Sequence, residues 1–154
     1  MRAQKPFELL VWNVRSRFNV GAMFRTADAV GITKMHLCGY TPAPPHSRIE
    51  KVSLGAEKSV PFTQHKTIVP TLKKLKKRGF LICAIEQTTT SIPYHTFKAP
   101  DKPLALIVGN ELDGVSQAAL SLCDHHLKIP MQGMKESLNV AISFAIVAYR
   151  LAFP

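Results

Sequence analysis

The stretch Leu127 to Leu151, LKIPMQGMKESLNVAISFAIVAYRL, restricts the possible folds more than any other part of this 154-residue chain. It opens as a short apolar strand running into Pro130, crosses a polar loop and enters a helix at Ser137 that is apolar almost all the way round. A helix of that kind is stable only when most of its sides are buried. At about 100° per residue, Asn139, Ser143 and Arg150 share one narrow stripe where something polar is met. Leu138, Val140, Ile142, Phe144, Val147, Tyr149 and Leu151 cover the rest. From Val140 the apolar run is broken at Arg150 and falls short of the ~20 residues that a bilayer requires. The helix is therefore expected inside protein, with a dimer interface as one setting.

The length suits one domain over residues 1–154, and 46% hydrophobic residues suffice for a core. Twenty Lys and Arg against ten Asp and Glu give a formal charge of +10 and a pI near 9.8, which favours a polyanionic partner such as nucleic acid over the plainer reading of solubility. Cys38, Cys83 and Cys123 are odd in number, follow no recognisable spacing and lie in or beside apolar segments. They read as buried thiols of a reduced, cytoplasmic protein. Phe7 to Trp12 is too short for a signal-peptide core, and no membrane span is expected.

Phe7 to Trp12 reads as a strand, followed by a polar turn with Arg15 and Arg17. The next helix is expected to be capped by Asn19 and ended by Gly31, with Val20, Met23, Phe24, Ala27 and Val30 on its apolar face. Arg25 points roughly 140° away from Val20. Its small neighbours Gly21, Ala22 and Ala29 are expected to leave room for something bulky. Thr33 to Cys38 is a second strand. Ser47 with Glu50 suggests a capping box and a short helix to about Gly55. Val60 to Gln64 is a strand that Pro61 assigns to a sheet edge. Thr67 to Arg78 is a helix whose last turns crowd Lys73, Lys74, Lys76, Lys77 and Arg78, where cations suit the helix dipole. Phe80 to Ile85, Leu104 to Val108 and Leu127 to Ile129 complete the strands, and Ser116 caps a short helix to Cys123. Continuous apolar strands alternating with helices give an α/β fold with a mainly parallel sheet flanked by helices.

Ligands of such sheets gather at the carboxyl ends of the strands. Three ends are conspicuous: Glu86 to Thr88, Gly109 to Gly114, and Pro130 to Glu136. The loop GNELDGVS has the two glycines of a phosphate-binding loop, but Val115 stands where the lysine belongs. Glu111 and Asp113 also put negative charge where a triphosphate needs amide dipoles. No GxGxxG follows the first strand. A nucleotide-like ligand that tolerates carboxylates is neutral or cationic, and S-adenosylmethionine has that character. His36 with Cys38, and Cys123 with His125 and His126, lack zinc-site spacing, so no metal is expected. There is no GxSxG, and His46, His65 and His95 read as loop residues.

Three stretches, NVRSRFNVGAMFRTADAVG (Asn13 to Gly31), LIVGNELDGVS (Leu106 to Ser116) and IPMQGMKESLNVAISFAIVAYR (Ile129 to Arg150), together resemble the SpoU, or TrmH-like, branch of the SPOUT family of RNA methyltransferases. The resemblance covers nearly the whole chain. It implies a C-terminal deep trefoil knot, a homodimer, S-adenosylmethionine as cofactor, and transfer of its methyl group to a ribose 2′-hydroxyl of tRNA or rRNA. General rules of chain topology would have argued against a knot.

By position, the resemblance assigns catalytic roles to Asn19, Arg25, Glu111, Ser137 and Asn139, with Arg25 acting at the 2′-hydroxyl with help from an RNA phosphate. It puts the cofactor near Glu86, Gln87, Gly109, Asn110, Ile129, Met131, Ser137 and Leu138. Leu112 departs from the family, many of whose members carry a small residue there. Arg15, Arg17 and Arg25 are the candidate RNA contacts. No further RNA-binding domain is expected within the chain, so recognition would fall to the catalytic dimer. The alternatives are a non-catalytic RNA-binding or assembly protein with the same fold, and a methyltransferase acting on a base or a small molecule.

Overall fold

A computed structural model describes residues 5–154. Its strands are β1 (Phe7–Trp12), β2 (Lys34–Cys38), β3 (Phe62–His65), β4 (Leu81–Ile85), β5 (Ile92–Pro93), β6 (Leu104–Gly109) and β7 (His125–Lys128). Its helices are α1 (Arg17–Val30), α2 (Ser47–Ser53), α3 (Ala56–Ser59), α4 (Val69–Lys77), α5 (Gln117–Leu120) and α6 (Val140–Ala152). The seven strands form one sheet in the order β3-β2-β1-β6-β4-β7-β5, and all their pairings are parallel. Pro61 does precede an edge strand, because β3 closes one side of the sheet.

Both faces of the sheet are covered, as continuous apolar strands require. Leu9, Val11, Met35, Leu37, Leu106 and Val108 pack on one face with α1 and α6. Leu10, Ile82, Ala84, Ala105 and Ile107 pack on the other with α4 and the short α5. The register sets Trp12 beside Gly109 and Cys38, and Ile85 beside Leu127. The carboxyl ends of β1, β6, β4 and β7 therefore meet along one rim. Cys38 and Cys83 are buried and Cys123 half-buried, and burial pushes all three thiols up to about 12.

Several expectations need correction. Helix α1 starts earlier than Asn19, because Ser16 is its cap and accepts from the Asn19 backbone N–H at 3.2 Å. Gly31 does end the helix, in the left-handed conformation with φ 79°. The capping box at Ser47 is absent: His46 caps α2 by accepting from the Arg48 N–H. The chain then breaks at Leu54 (φ 51°) into the separate helix α3. Gly21 does not leave space for a ligand, because α2 fills it. A Cβ there would lie 2.6 Å from the Ile49 carbonyl oxygen and 2.9 Å from Val52 Cβ. His65 ends β3 and is no loop residue.

The final helix begins at Val140, and Asn139 is its cap. Phe144 and Val147 are fully buried, each contributing about 1.5–3 kcal/mol by burial. The helix is not covered all round, since Ile142 is 53% and Tyr149 48% exposed in the single chain. The two-residue β5 was not anticipated. It pairs with β7 at the outer edge of the sheet.

Candidate active site

The rim formed by the ends of β4, β6 and β7 borders a cleft of about 240 Å³. Glu86 and Gln87 follow β4 on one wall. Gly109, Asn110 and Glu111 follow β6. Ile129, Met131, Ser137 and Leu138 come from the irregular segment between β7 and α6, which bends at Gly133, Met134 and Glu136 before Asn139 starts the helix. All eight residues expected near a cofactor thus line one cavity.

The loop after β6 is shaped by its own backbone. Gly114 adopts φ 66°, and its N–H donates to the Asn110 carbonyl at 2.7 Å. A Cβ on Gly109 would fall 2.5 Å from the Gly114 carbonyl carbon, so only glycine allows the loop to close on the strand end. The Asn110 side chain reinforces the same closure, since its Oδ1 accepts from the Leu112 and Asp113 N–H groups. Its Nδ2 donates to the Asn13 carbonyl at 2.9 Å and to the Tyr40 hydroxyl at 2.7 Å. Glu86 ties β4 to this loop, with Oε2 accepting from the Val115 N–H at 2.9 Å. Leu112, the departure from the family pattern, projects outward at 93% exposure.

Three residues from distant parts of the chain are joined at the mouth of the cleft. Asn19 Nδ2 donates to Glu111 Oε1 at 2.8 Å. Asn139 Nδ2 donates to Asn19 Oδ1 at 3.1 Å. Asn139 Oδ1 in turn accepts from the Ala141 and Ile142 N–H groups at 2.8 and 3.3 Å, holding the start of α6. Asn19 is buried, as an amide satisfied on both ends can be. Ser16 caps the helix in its place, and this frees the Asn19 side chain for the site.

Arg25 stands apart. It is exposed on α1, does not line the cleft, and no hydrogen bond or ion pair to another described residue engages its guanidinium. Arg17 is likewise exposed, while Arg15 lies over the Tyr40 ring at 5.3 Å. Sequence reasoning missed Asn13 and Tyr40, which brace the loop through Asn110. The available signal was an asparagine directly after a strand, since Asn13 adopts φ 53°, a conformation asparagine tolerates better than most residues.

The lining sets four carboxylates, Glu86, Glu111, Asp113 and Glu136, against the single ammonium of Lys128. Ile85, Val108, Leu127, Ile129 and Leu138 supply apolar wall. This donor set suits a ligand with a flat apolar part and positive charge, and it disfavours a polyphosphate. S-adenosylmethionine fits that description. Among the described residues, no group of three or more His, Cys, Asp or Glu side chains could hold a metal ion.

Residues 6–149 match the model of the SpoU rRNA Methylase family. The chain belongs to that family. It is 35% identical over 150 residues to the tRNA (guanosine(18)-2′-O)-methyltransferase of Thermus thermophilus, covering 96% of this chain and 75% of that protein. It is 32% identical over 145 residues to the 23S rRNA (guanosine-2′-O-)-methyltransferase RlmB of Neisseria meningitidis, covering 94% of this chain and 57% of that one. Among solved structures, the TrmH/SpoU tRNA modifying enzyme of A. aeolicus superposes with a TM-score of 0.87 at 32% identity, over 98% of this chain and 76% of that chain. The AdoMet-bound rRNA methyltransferase of Sinorhizobium meliloti gives 0.89 at 25% identity, over 97% and 57%. SpoU membership agrees with the resemblance carried by the three sequence stretches.

Proposed function

We propose that this SpoU-family chain transfers the methyl group of S-adenosylmethionine to a ribose 2′-hydroxyl of tRNA or rRNA. The observation that carries the reading is the hydrogen-bonded row Glu111, Asn19, Asn139 at the mouth of a carboxylate-rich cleft. Relatives named as tRNA and rRNA 2′-O-methyltransferases support the substrate class. When bound, S-adenosylmethionine supplies a sulfonium methyl that is already activated for displacement, so positioning can lower the barrier by up to ~7–11 kcal/mol. Ile129 and Leu138 would hold the apolar part of the ligand, and Glu111 would offer its carboxylate to the positive charge. Asn19 fixes the Glu111 carboxylate, and Asn139 fixes Asn19. A guanidinium keeps its proton in proteins, so Arg25 is a poor base. Its role is to orient the ribose hydroxyl and an adjacent phosphate, with Arg15 and Arg17 holding the flanking backbone.

We further infer a threaded tail. The chain leaving β4 runs out to β5, beyond β7, before returning to β6 on the other side of β4. Arg150 of α6 donates to the Phe97 carbonyl within this excursion, at 3.3 Å. Both observations support a segment from β7 to α6 threaded beneath that loop as a trefoil knot. A homodimer is supported by the stripe of Ile142 and Tyr149 on α6 and Phe153 just past its end, each 48–63% exposed. The RNA substrate and the cysteines, none of them in a disulfide, fit a cytoplasmic protein.

The test is to incubate the purified protein with tRNA or rRNA and methyl-labelled S-adenosylmethionine, then digest the RNA to nucleosides. Label on 2′-O-methylribose is expected, and Arg25→Ala abolishes it while sedimentation of the dimer is unchanged. Label on a base, or none from wild-type protein on either RNA, would overturn the proposal.

A further inference from the structure

Beside the cleft, and sharing none of its lining residues, a depression is lined by Arg15, Arg17 and Phe18 at the start of α1 and by Arg48, Lys51 and Val52 from α2. Four cations line it and no carboxylate does. Phe18, in the first turn of α1, is 65% exposed and presents its ring among these cations. The two helices meet here because Gly21, one turn beyond Phe18, admits the α2 backbone at Ile49. Arg48 and Lys51, three residues apart, share one face of α2 and are brought alongside Phe18. Neither has an ion-pair partner among the described residues. Arg15 also touches the Tyr40 ring, and the Tyr40 hydroxyl accepts from Asn110 of the cleft loop. The depression is thereby joined mechanically to the loop that carries Glu111.

We propose that this depression holds an unpaired stretch of the RNA substrate, with one base stacked on Phe18 and the flanking phosphates on Arg48 and Lys51. The inference rests on the RNA reading given above and adds Phe18, Arg48 and Lys51 to it. A flat exposed ring among cations answers both halves of a single strand: the π-face of a base, and the charge of the backbone on either side. A paired helix offers phosphates alone, and its bases are not free to stack on a side chain.

The experiment uses the full 154-residue chain, a tRNA transcript as substrate, and a perfect RNA duplex of equal length as competitor. Phe18→Ala is expected to raise KM for tRNA about five- to a hundredfold, the usual range for losing one stacked base. The kcat at saturation and the affinity for S-adenosylmethionine stay unchanged, and Phe18→Trp restores KM. Arg48→Gln and Lys51→Gln each lower the slope of log affinity against log salt by about 0.7. Wild-type affinity and salt slope in these three variants would overturn the inference while wild-type methylation of tRNA leaves the function reading intact. Equal competition by the duplex would also overturn it. So would a change in oligomeric state with tRNA affinity unaltered, because the surface would then belong to a second copy of the chain. Absence of RNA methylation by the wild-type protein removes both readings.

Discussion

Replacing Asn139 separates two roles that one side chain performs. Its Oδ1 caps α6 through the Ala141 and Ile142 N–H groups, and its Nδ2 holds Asn19 against Glu111. Asn139→Ala removes both. Loss of such a cap costs about 0.5–2 kcal/mol, and loss of the amide bond to Asn19 about 0.5–1.5 kcal/mol. Asn139 is exposed, so the lower half of each range applies, about 1–2 kcal/mol together. At ~2–4 °C per kcal/mol for a domain of this size, Tm should fall by about 2–8 °C. Asn139→Asp keeps a good cap, and its charge suits the N-terminus of a helix. It cannot donate to Asn19 Oδ1, and Asn19 then faces two carboxylates with one NH2 group. Tm should stay within about 3 °C of wild type, while methyl transfer falls at least about tenfold, the equivalent of ~1.4 kcal/mol. Thermal melts and single-turnover labelling of tRNA measure the two effects separately. Unchanged Tm in the alanine variant, or full labelling by the aspartate variant, would refute the reasoning.

Gly114→Ala should weaken binding of S-adenosylmethionine, measured by calorimetry. The residue sits at φ 66°, which costs a non-glycine about 1–2 kcal/mol, and its new Cβ would collide with Glu86 Oε2 and displace it. A pH series of melts should show an acid-sensitive contribution from His65. Burial, with His36, Lys34 and Lys74 nearby, holds its pKa below the usual 6.5. The folded state therefore binds this proton less readily than the unfolded one. Its contribution is present above about 6.5 and is lost as pH falls through the depressed folded value. Tm should drop less between pH 7 and pH 5 in His65→Gln than in wild type, and identical slopes would contradict the assignment.

The strands of the sheet interior could be read directly, because Phe7 to Trp12, Phe80 to Ile85 and Leu104 to Val108 are continuous apolar runs that only a doubly covered sheet accommodates. Strand β5 could not: it is two residues long, includes a proline, and exists only through pairing with Leu127 and Lys128. Cap assignments failed for a related reason. Asn19 and Ser16 are both good caps three residues apart, and the choice between them depends on Glu111, 92 residues away, claiming the asparagine amide. Gly21 read as open space because helical spacing places neighbours on one helix and says nothing of a second helix laid against it. The proposed threading of the tail has no periodic signature at all. Only the three stretches that resemble SpoU enzymes imply it, as they imply the residue roles.

The hydrogen bonds at the cleft bear on how the site comes into being. Glu111 is held in place by Asn19 of α1, and Asn19 is oriented by Asn139, the first anchor of α6. Helix α6 packs on the face of the sheet that α1 covers, so these polar contacts close only after the tail has crossed the cleft and docked. The cavity walls at Ile129, Met131 and Leu138 belong to the same crossing segment. A chain with the tail undocked would keep most of its sheet yet lack one wall of the cleft and the orientation of its carboxylate. Ligand binding and seating of α6 are then linked equilibria, so S-adenosylmethionine should protect the amides at the start of α6 more than those of β1. Hydrogen exchange with and without S-adenosylmethionine measures this directly. Equal protection of the two segments would mean that the tail is docked independently of the site.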